Sequence, residues 1–334
     1  MAMHSSGDPK MNEIAWQNFF MIIPVVSTTF HSFDRMFAAV GHNEIPWLFI
    51  DEAGQIPPQY AASAIYKSNK VVVVGDPLQT EPISILKQDL IKKLCEHFKV
   101  SYPDWSPSEV SLQNLADRNS LYQTKIDDVT VGFPLLVHRR CQNPMFNICN
   151  KIAYGNKMIF ATSDCKSDIR NILGISKWIN VKDNKVQRYK YESEAESQKL
   201  LELLKQILKE KDGANLLKQI YIITMYKDYS ESIRRKLNEI YDDSRFEKII
   251  KEFGYKNIGT IHAFQGKEND TVIVLLGAQH PLDKGARNIM TKKPNVLNVG
   301  ISRAKNNLYI VGNSEIWLKH KYMKEIYNML GDKE

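Results

Sequence analysis

Two adjacent carboxylates, Asp51 and Glu52, stand at the end of the apolar run Trp47-Leu48-Phe49-Ile50, and a second run, Val71-Val72-Val73-Val74, ends in Gly75-Asp76-Pro77-Leu78-Gln79. Short apolar runs bounded by turn residues read as buried strands. In parallel α/β sheets, ligands collect at the carboxyl ends of such strands. A carboxylate there can hold Mg²⁺, largely through the ion's water shell. A second carboxylate, pointing elsewhere, can orient a water for in-line attack on a phosphoryl group. This logic assigns Asp51 to a metal and Glu52 to base catalysis. Gln55 is placed to reach the attacking water or to link the two loops, Asp76 is expected at the nucleotide, and the Gln79 amide can sense a γ-phosphate. Either loop alone is equally well a solvated turn; the two in this order point to nucleotide triphosphate chemistry.

Further along the chain, His138-Arg139-Arg140-Cys141 precedes an amphipathic segment that begins near Pro144. An arginine presented there can neutralise charge developing on a transferred phosphoryl group, although paired arginines also suit a solvated basic patch. Residues 260–268, Thr-Ile-His-Ala-Phe-Gln-Gly-Lys-Glu, sit between two apolar runs. Gly266 suits a close backbone approach. Gln265 and Glu268 can hydrogen-bond a nucleotide, and Thr260 and His262 can meet a nucleic-acid backbone. Arg303, in Ser302-Arg303-Ala304-Lys305, is a second cation for a γ-phosphate.

The elements that would hold these residues follow a βα rhythm. Strands are expected over residues 22–27, 48–51, 71–75, 220–224, 258–261, 271–276 and 308–312. Helices are expected over 30–40, 83–98, 144–154, 192–210, 229–241 and 314–329. That alternation is the pattern of parallel sheets covered by helices. The rhythm breaks over 101–128, which carries Pro103 and Pro107, so two α/β domains are expected, 11–130 and 131–334, with an irregular insertion at about 156–191. Residues 1–10 read as a leftover of expression, with natural sequence continuing upstream. A length of 334 residues suffices for two cores, and a formal charge of +7 favours polyanionic partners. No apolar run reaches the 18 or so residues of a membrane helix, so no membrane partner is expected. Cys95, Cys141, Cys149 and Cys165 lack metal-site spacing. Reduced thiols and a cytoplasmic location are the expectation.

Taken together, these blocks resemble those of superfamily 1 helicases, in the branch containing the nonsense-mediated-decay RNA helicase and the Okazaki-fragment helicase–nuclease. Asp51-Glu52-Ala53-Gly54-Gln55 is similar to motif II and Gly75-Asp76-Pro77-Leu78-Gln79 to motif III. His138-Arg139-Arg140-Cys141 is similar to motif IV, with Arg139 where the family has an aromatic residue. Residues 260–268 resemble motif V, and Ser302-Arg303-Ala304-Lys305 resembles motif VI. Val25-Val26-Ser27-Thr28-Thr29 resembles the strand-end threonine motif that touches single strands.

The resemblance implies two RecA-like domains of the P-loop NTPase type, with ATP and Mg²⁺ as cofactors and single-stranded DNA or RNA as track. It implies Asp51 as metal ligand, Glu52 as general base and Gln79 as phosphate sensor, with Arg140 and Arg303 as the catalytic arginines. Gln265, Gly266 and Glu268 would couple nucleotide state to grip, and Thr28, Thr29, Thr260 and His262 would line the nucleic-acid path.

The family's glutamine motif and its phosphate loop, G-x-x-x-x-G-K-[ST], occur nowhere in the chain. In the family both precede motif II. The expectation is therefore a carboxy-terminal motor portion whose first RecA-like domain is incomplete at its amino end. Such a portion is an ATP-dependent helicase only together with an upstream segment of the same protein, and inactive alone. The alternative is a non-enzymatic, helicase-derived module that binds nucleic acid or protein. A nuclease finds no separate Asp/Glu/Lys constellation for metal-assisted cleavage.

Overall fold

The two apolar runs that carry the first carboxylates pair with each other. In a computed structural model, described for residues 9–331 apart from 80, 83, 85, 103, 127, 128, 164, 165, 188, 189 and 238–243, β1 (Ile45–Ile50) and β2 (Ser68–Val73) form a parallel pair with Trp47 opposite Lys70 and Ile50 opposite Val73. They belong to the first of two compact units, Met1–Pro134; the second is Leu135–Glu334. The expected leftover at residues 1–10 lies mostly outside the described residues.

In the first unit, Trp16, Phe33, Phe37, Val40, Ile45 and Ala64 make one apolar cluster, and Ile50, Ala53, Ala61 and Leu112 another. The opposite face of the strand pair is open. Trp47 is 52% exposed and Phe49 69%, their rings lie 6.0 Å apart, and Lys70 Nζ sits 4.8 Å from the Trp47 ring. Lys67 Nζ donates to the carbonyls of Phe37 and Val40 at 2.8 and 2.7 Å, which closes the end of helix Phe30–Met36 before residue 40. Helix Leu112–Asn119 starts at a capping box formed by Ser111 and Asn114, where the sequence suggested only a break. The unit ends in an antiparallel hairpin, β3 (Thr124–Ile126) and β4 (Val129–Val131).

The strand expected over 22–27 is not one. Helix Pro9–Ile22 runs through its start, the Ile23 N–H still donates to Phe19 O at 2.8 Å, and residues 23–29 have no regular structure. A strand requires a ladder partner. None lies alongside among the described residues, Pro24 has no N–H to donate, and Val25 points to solvent. Helix 83–98 is likewise shorter, Gln88–His97, with residues 83 and 85 outside the described set.

The second unit opens with the short parallel pair β5 (Val137–His138) and β6 (Ile159–Phe160). Its centre is a five-stranded parallel sheet of β7 (Lys177–Asn180), β8 (Ile220–Thr224), β9 (Ile258–Thr260), β10 (Asn269–Leu275) and β11 (Ala304–Gly312), in spatial order β7-β11-β10-β8-β9. The central strands are buried along both faces, as a parallel sheet under helices requires.

β7 corrects the expectation of an irregular insertion over 156–191. Only Trp178 and Ile179 mark it in sequence, yet it is an edge strand, and the Trp178 ring is buried with Nε1 donating to Gly312 O at 3.0 Å. β11 begins four residues before its apolar run. Its polar start is satisfied by side chains: Asn306 donates to Asp270 at 2.6 Å, Asn307 to Ser167 at 2.6 Å, and Ser167 to Asp270 at 2.7 Å. Helices Ser244–Asn257 and Lys284–Thr291 were not anticipated. The helix expected over 314–329 is two, Ser314–Trp317 and Met323–Leu330, separated where Tyr322 takes φ 69°. The helix expected over 229–241 is Lys227–Leu237, its last expected residues lying outside the described set. No helix among the described residues is long and apolar enough to cross a membrane.

Candidate functional site

In the first unit the ladder between β1 and β2 runs on past both strands. Val74 N–H donates to Ile50 O at 2.8 Å and Ala53 N–H to Val74 O at 3.0 Å. Two glycines let the loops touch. A Cβ on Gly75 would lie 2.5 Å from Gly54 N and 2.7 Å from Ala53 N, and one on Gly54 would lie 2.6 Å from Asp76 O. Glycine at 75 is required by this backbone contact with the Asp51–Glu52 turn.

That turn is unusual. Glu52 adopts φ 54°, ψ 33°, left-handed backbone that a residue with a Cβ rarely takes. The Glu52 N–H donates to Asp51 Oδ1 at 2.8 Å, and Gln55 Nε2 donates to Glu52 Oε2 at 2.7 Å. Both carboxylates are exposed. In the neighbouring loop, Asp76 Oδ1 accepts the Leu78 N–H at 2.9 Å and Oδ2 accepts Gln79 Nε2 at 3.0 Å. Asp51, Glu52, Gln55, Asp76 and Gln79 thus share one strand-end platform. Thr28 and Thr29 belong to the approach to helix Phe30–Met36. Thr29 is its N-terminal flanking residue, its hydroxyl 3.5 Å from Ser32 Oγ, and both threonines are exposed.

In the second unit, Glu268 gathers three segments. Its carboxylate accepts from Arg140 Nε at 2.9 Å and from Lys305 Nζ at 2.6 Å. The Lys305 hydrogen bond, with the charges of Lys305, Arg140 and Arg303, outweighs burial and holds the Glu268 carboxyl below the usual glutamate value. Arg303 is 1% exposed. Its guanidinium donates to Val299 O at 3.1 Å, Lys267 O at 2.9 Å and Ser302 Oγ at 3.1 Å. The reading from sequence aimed this arginine at a phosphate; here it ties the end of helix Asn295–Ser302 to the turn before β10. Gly266 takes φ 70°, and the Gln265 amide nitrogen is buried with no hydrogen-bond partner among the described residues.

Thr260 and His262 are elsewhere. Thr260 is level with Thr224 and, through it, with Leu275 at the carboxyl end of β10. Glu268 and Arg303 immediately precede β10 and β11 at their amino ends. At about 3.3 Å per residue, the two groups are roughly 20 Å apart along the strands. Residues 261–268 run from one end to the other.

Two contributors went unassigned in the sequence. Lys305 was visible as a cation two positions after Arg303, at the start of a strand. His138 stood in the block His138-Arg139-Arg140-Cys141 but was given no role there, because the bond its ring makes, accepting the Cys141 N–H at 2.8 Å, joins a side chain to a backbone group three residues on.

Residues 118–315 match the family described as AAA domain. Probable helicase senataxin of Mus musculus is 23% identical over 300 residues, covering 86% of this chain and 10% of that protein. An uncharacterized ATP-dependent helicase of Methanocaldococcus jannaschii is 24% identical over 305 residues, 85% of this chain and 38% of the relative. Regulator of nonsense transcripts 1 of Caenorhabditis elegans is 31% identical over 119 residues, 35% of this chain and 10% of the relative. The chain therefore spans a tenth to about two fifths of the length of these relatives.

Proposed function

The chain belongs to the AAA domain family, as a superfamily 1 helicase of the senataxin and nonsense-transcript-regulator type, and from that premise we propose that it is the carboxy-terminal motor portion of an ATP-dependent translocase on single-stranded nucleic acid. The observation that carries this reading is the contact of the Asp51–Glu52 turn with the Asp76–Gln79 loop through Gly54 and Gly75.

The residues present suit the terminal phosphate and its metal. Asp51 offers a hard, exposed carboxylate oxygen at a strand end, the donor Mg²⁺ prefers. Mg²⁺ bound there would neutralise charge on the phosphate oxygens. Glu52, its carboxylate tethered by Gln55, takes the proton of the attacking water. Gln79, held by Asp76, donates to the terminal phosphate oxygens. Arg140, on release from Glu268, supplies a cation to the developing charge. Thr28, Thr29, Thr260 and His262 present exposed or partly exposed donors to a sugar–phosphate backbone.

Cradling the remaining phosphates falls to a phosphate loop contributed by sequence outside this chain, so this chain alone should turn over no ATP. The buried thiols Cys95 and Cys141 suit a reducing cytoplasm.

The test is strand-stimulated ATP turnover by the natural-length protein, beside this chain and a Glu52→Gln variant. Stimulation by single strands that the variant and the short chain both lack supports the motor. Turnover by the short chain at about one per second would refute the division of labour. A silent long form would leave a binding module.

A further inference from the structure

The loop that carries Arg140 closes on a side chain. His138 Nε2 accepts the Cys141 N–H at 2.8 Å. This is the span of a β-turn, with a ring nitrogen where the turn's carbonyl would be. The His138 carbonyl is left to accept from Ala161 N at 2.9 Å and Thr162 Oγ1 at 3.5 Å, which joins β5 to β6. Beyond the turn, Cys141 Sγ donates to Ser302 O at 3.4 Å and Gln142 N to Lys305 O at 2.7 Å. Arg140 is enclosed between these anchors, its Nε on Glu268.

A backbone N–H can only donate, so Nε2 is the unprotonated nitrogen and the ring is neutral. The imidazole packs on Phe146 with centroids 5.3 Å apart. Burial first, and then the Arg140 charge, push its pKa below the usual histidine value. The charged group acting on the ring is Arg140, itself paired with Glu268; Phe146, Ala161 and Thr162 contribute no charge.

We infer that His138 is the positioning residue for Arg140: its neutral Nε2 closes the turn that aims the guanidinium, and protonation opens it. The inference rests on the reading of Arg140 as the cation of phosphoryl transfer. A protonated ring offers no acceptor to Cys141 N–H and sets a like charge beside Arg140.

The experiment is ATP turnover by the natural-length protein with saturating single strand, comparing wild type, H138L, H138Q, R140A and H138L/R140A from about pH 5.5 to about pH 8. H138L should lower kcat at least roughly tenfold, toward R140A, with KM for ATP unchanged. It should cost nothing further in the R140A background. H138Q, whose amide oxygen accepts the same N–H, should keep the wild-type kcat at neutral pH and lack the acid limb that wild type shows.

An active wild type with an indifferent H138L overturns this inference alone. So does a loss that adds in full to that of R140A, since His138 would then act by another route. Should H138L not fold, the H138Q profile decides, and an acid limb equal to that of wild type is a refutation. A wild type silent at every pH overturns the motor reading itself, and the role of His138 with it.

Discussion

Arg140 Nε donates to Glu268 Oε2 at 2.9 Å while Lys305 Nζ donates to Glu268 Oε1 at 2.6 Å. One carboxylate therefore holds the loop before helix Met145–Ala153 against the first residues of β11. All three side chains are partly exposed, so the pairs add little stability; such pairs are typically worth about 0–1 kcal/mol. What they fix is the direction of the Arg140 side chain, and a phosphate reaching the proposed cation would have to compete with this carboxylate.

Glu268 should leave a mark on acid stability. Its carboxyl is held below the usual glutamate value, so its contribution is complete above the unfolded-state pKa and fades as pH falls through the lower folded value. Urea midpoints of this chain should drop more steeply below about pH 4.5 in wild type than in E268Q. Parallel curves would mean the pairs do not persist in solution.

Glu196 should act with the opposite sign. It is fully buried, and burial raises its pKa to about 7 against hydrogen bonds from Gln279, Gly277 and Tyr229. The folded chain then binds a proton that the unfolded chain has released, so the Glu196 contribution is complete below the unfolded-state pKa and is lost as pH rises toward 7. The decline should total a few kcal/mol, at about 1.4 kcal/mol per pKa unit. In E196Q that slope should vanish, and a slope unchanged by the substitution would assign it to other groups.

Arg303 should be a structural residue as much as a chemical one. R303A removes the guanidinium's bonds to the carbonyls of Val299 and Lys267, Val299 O keeping Ser302 Oγ at 3.2 Å, and a lost hydrogen bond from a charged group costs about 1.5–3 kcal/mol. Thermal or urea unfolding of this chain should show that loss with no nucleotide present. An R303A chain as stable as wild type would free the arginine for a purely catalytic role.

Two glycines should respond oppositely to alanine. A Cβ on Gly75 meets backbone at 2.5 Å, whereas one on Gly300, inside helix Asn295–Ser302, meets Ile261 at 3.5 Å, an ordinary contact. G75A should destabilise by roughly 1–3 kcal/mol, and G300A should stabilise by about 0.5–1 kcal/mol. Equal effects would show that the loop contact between Gly54 and Gly75 is loose.

The parallel strands with apolar runs were legible because a parallel strand buried on both faces is apolar over its buried length, as β8 is up to Thr224 and β10 is from Val272 on. β7 was not, since an edge strand needs few apolar residues, and the polar start of β11 depends on Ser167 and Asp270 far away in sequence. The run at 22–27 misled for the converse reason: apolar residues favour a strand only where a ladder partner exists. At the site, residue type singled out Asp51, Glu52, Arg140 and Glu268 as candidates. Spacing could not show that Arg303 is buried, that Lys305 shares Glu268, or that the Arg140 loop closes on His138, because each depends on a contact made by the tertiary fold.

Glu52 has φ 54°, ψ 33°, a backbone that glycine or asparagine takes at least cost. Non-glycine residues so placed carry about 1–3 kcal/mol of strain. Selection for stability alone would therefore drift away from glutamate at this position and discard the proposed base without disturbing the fold. A glutamate retained here in a population of natural variants would record selection for turnover, not for folding.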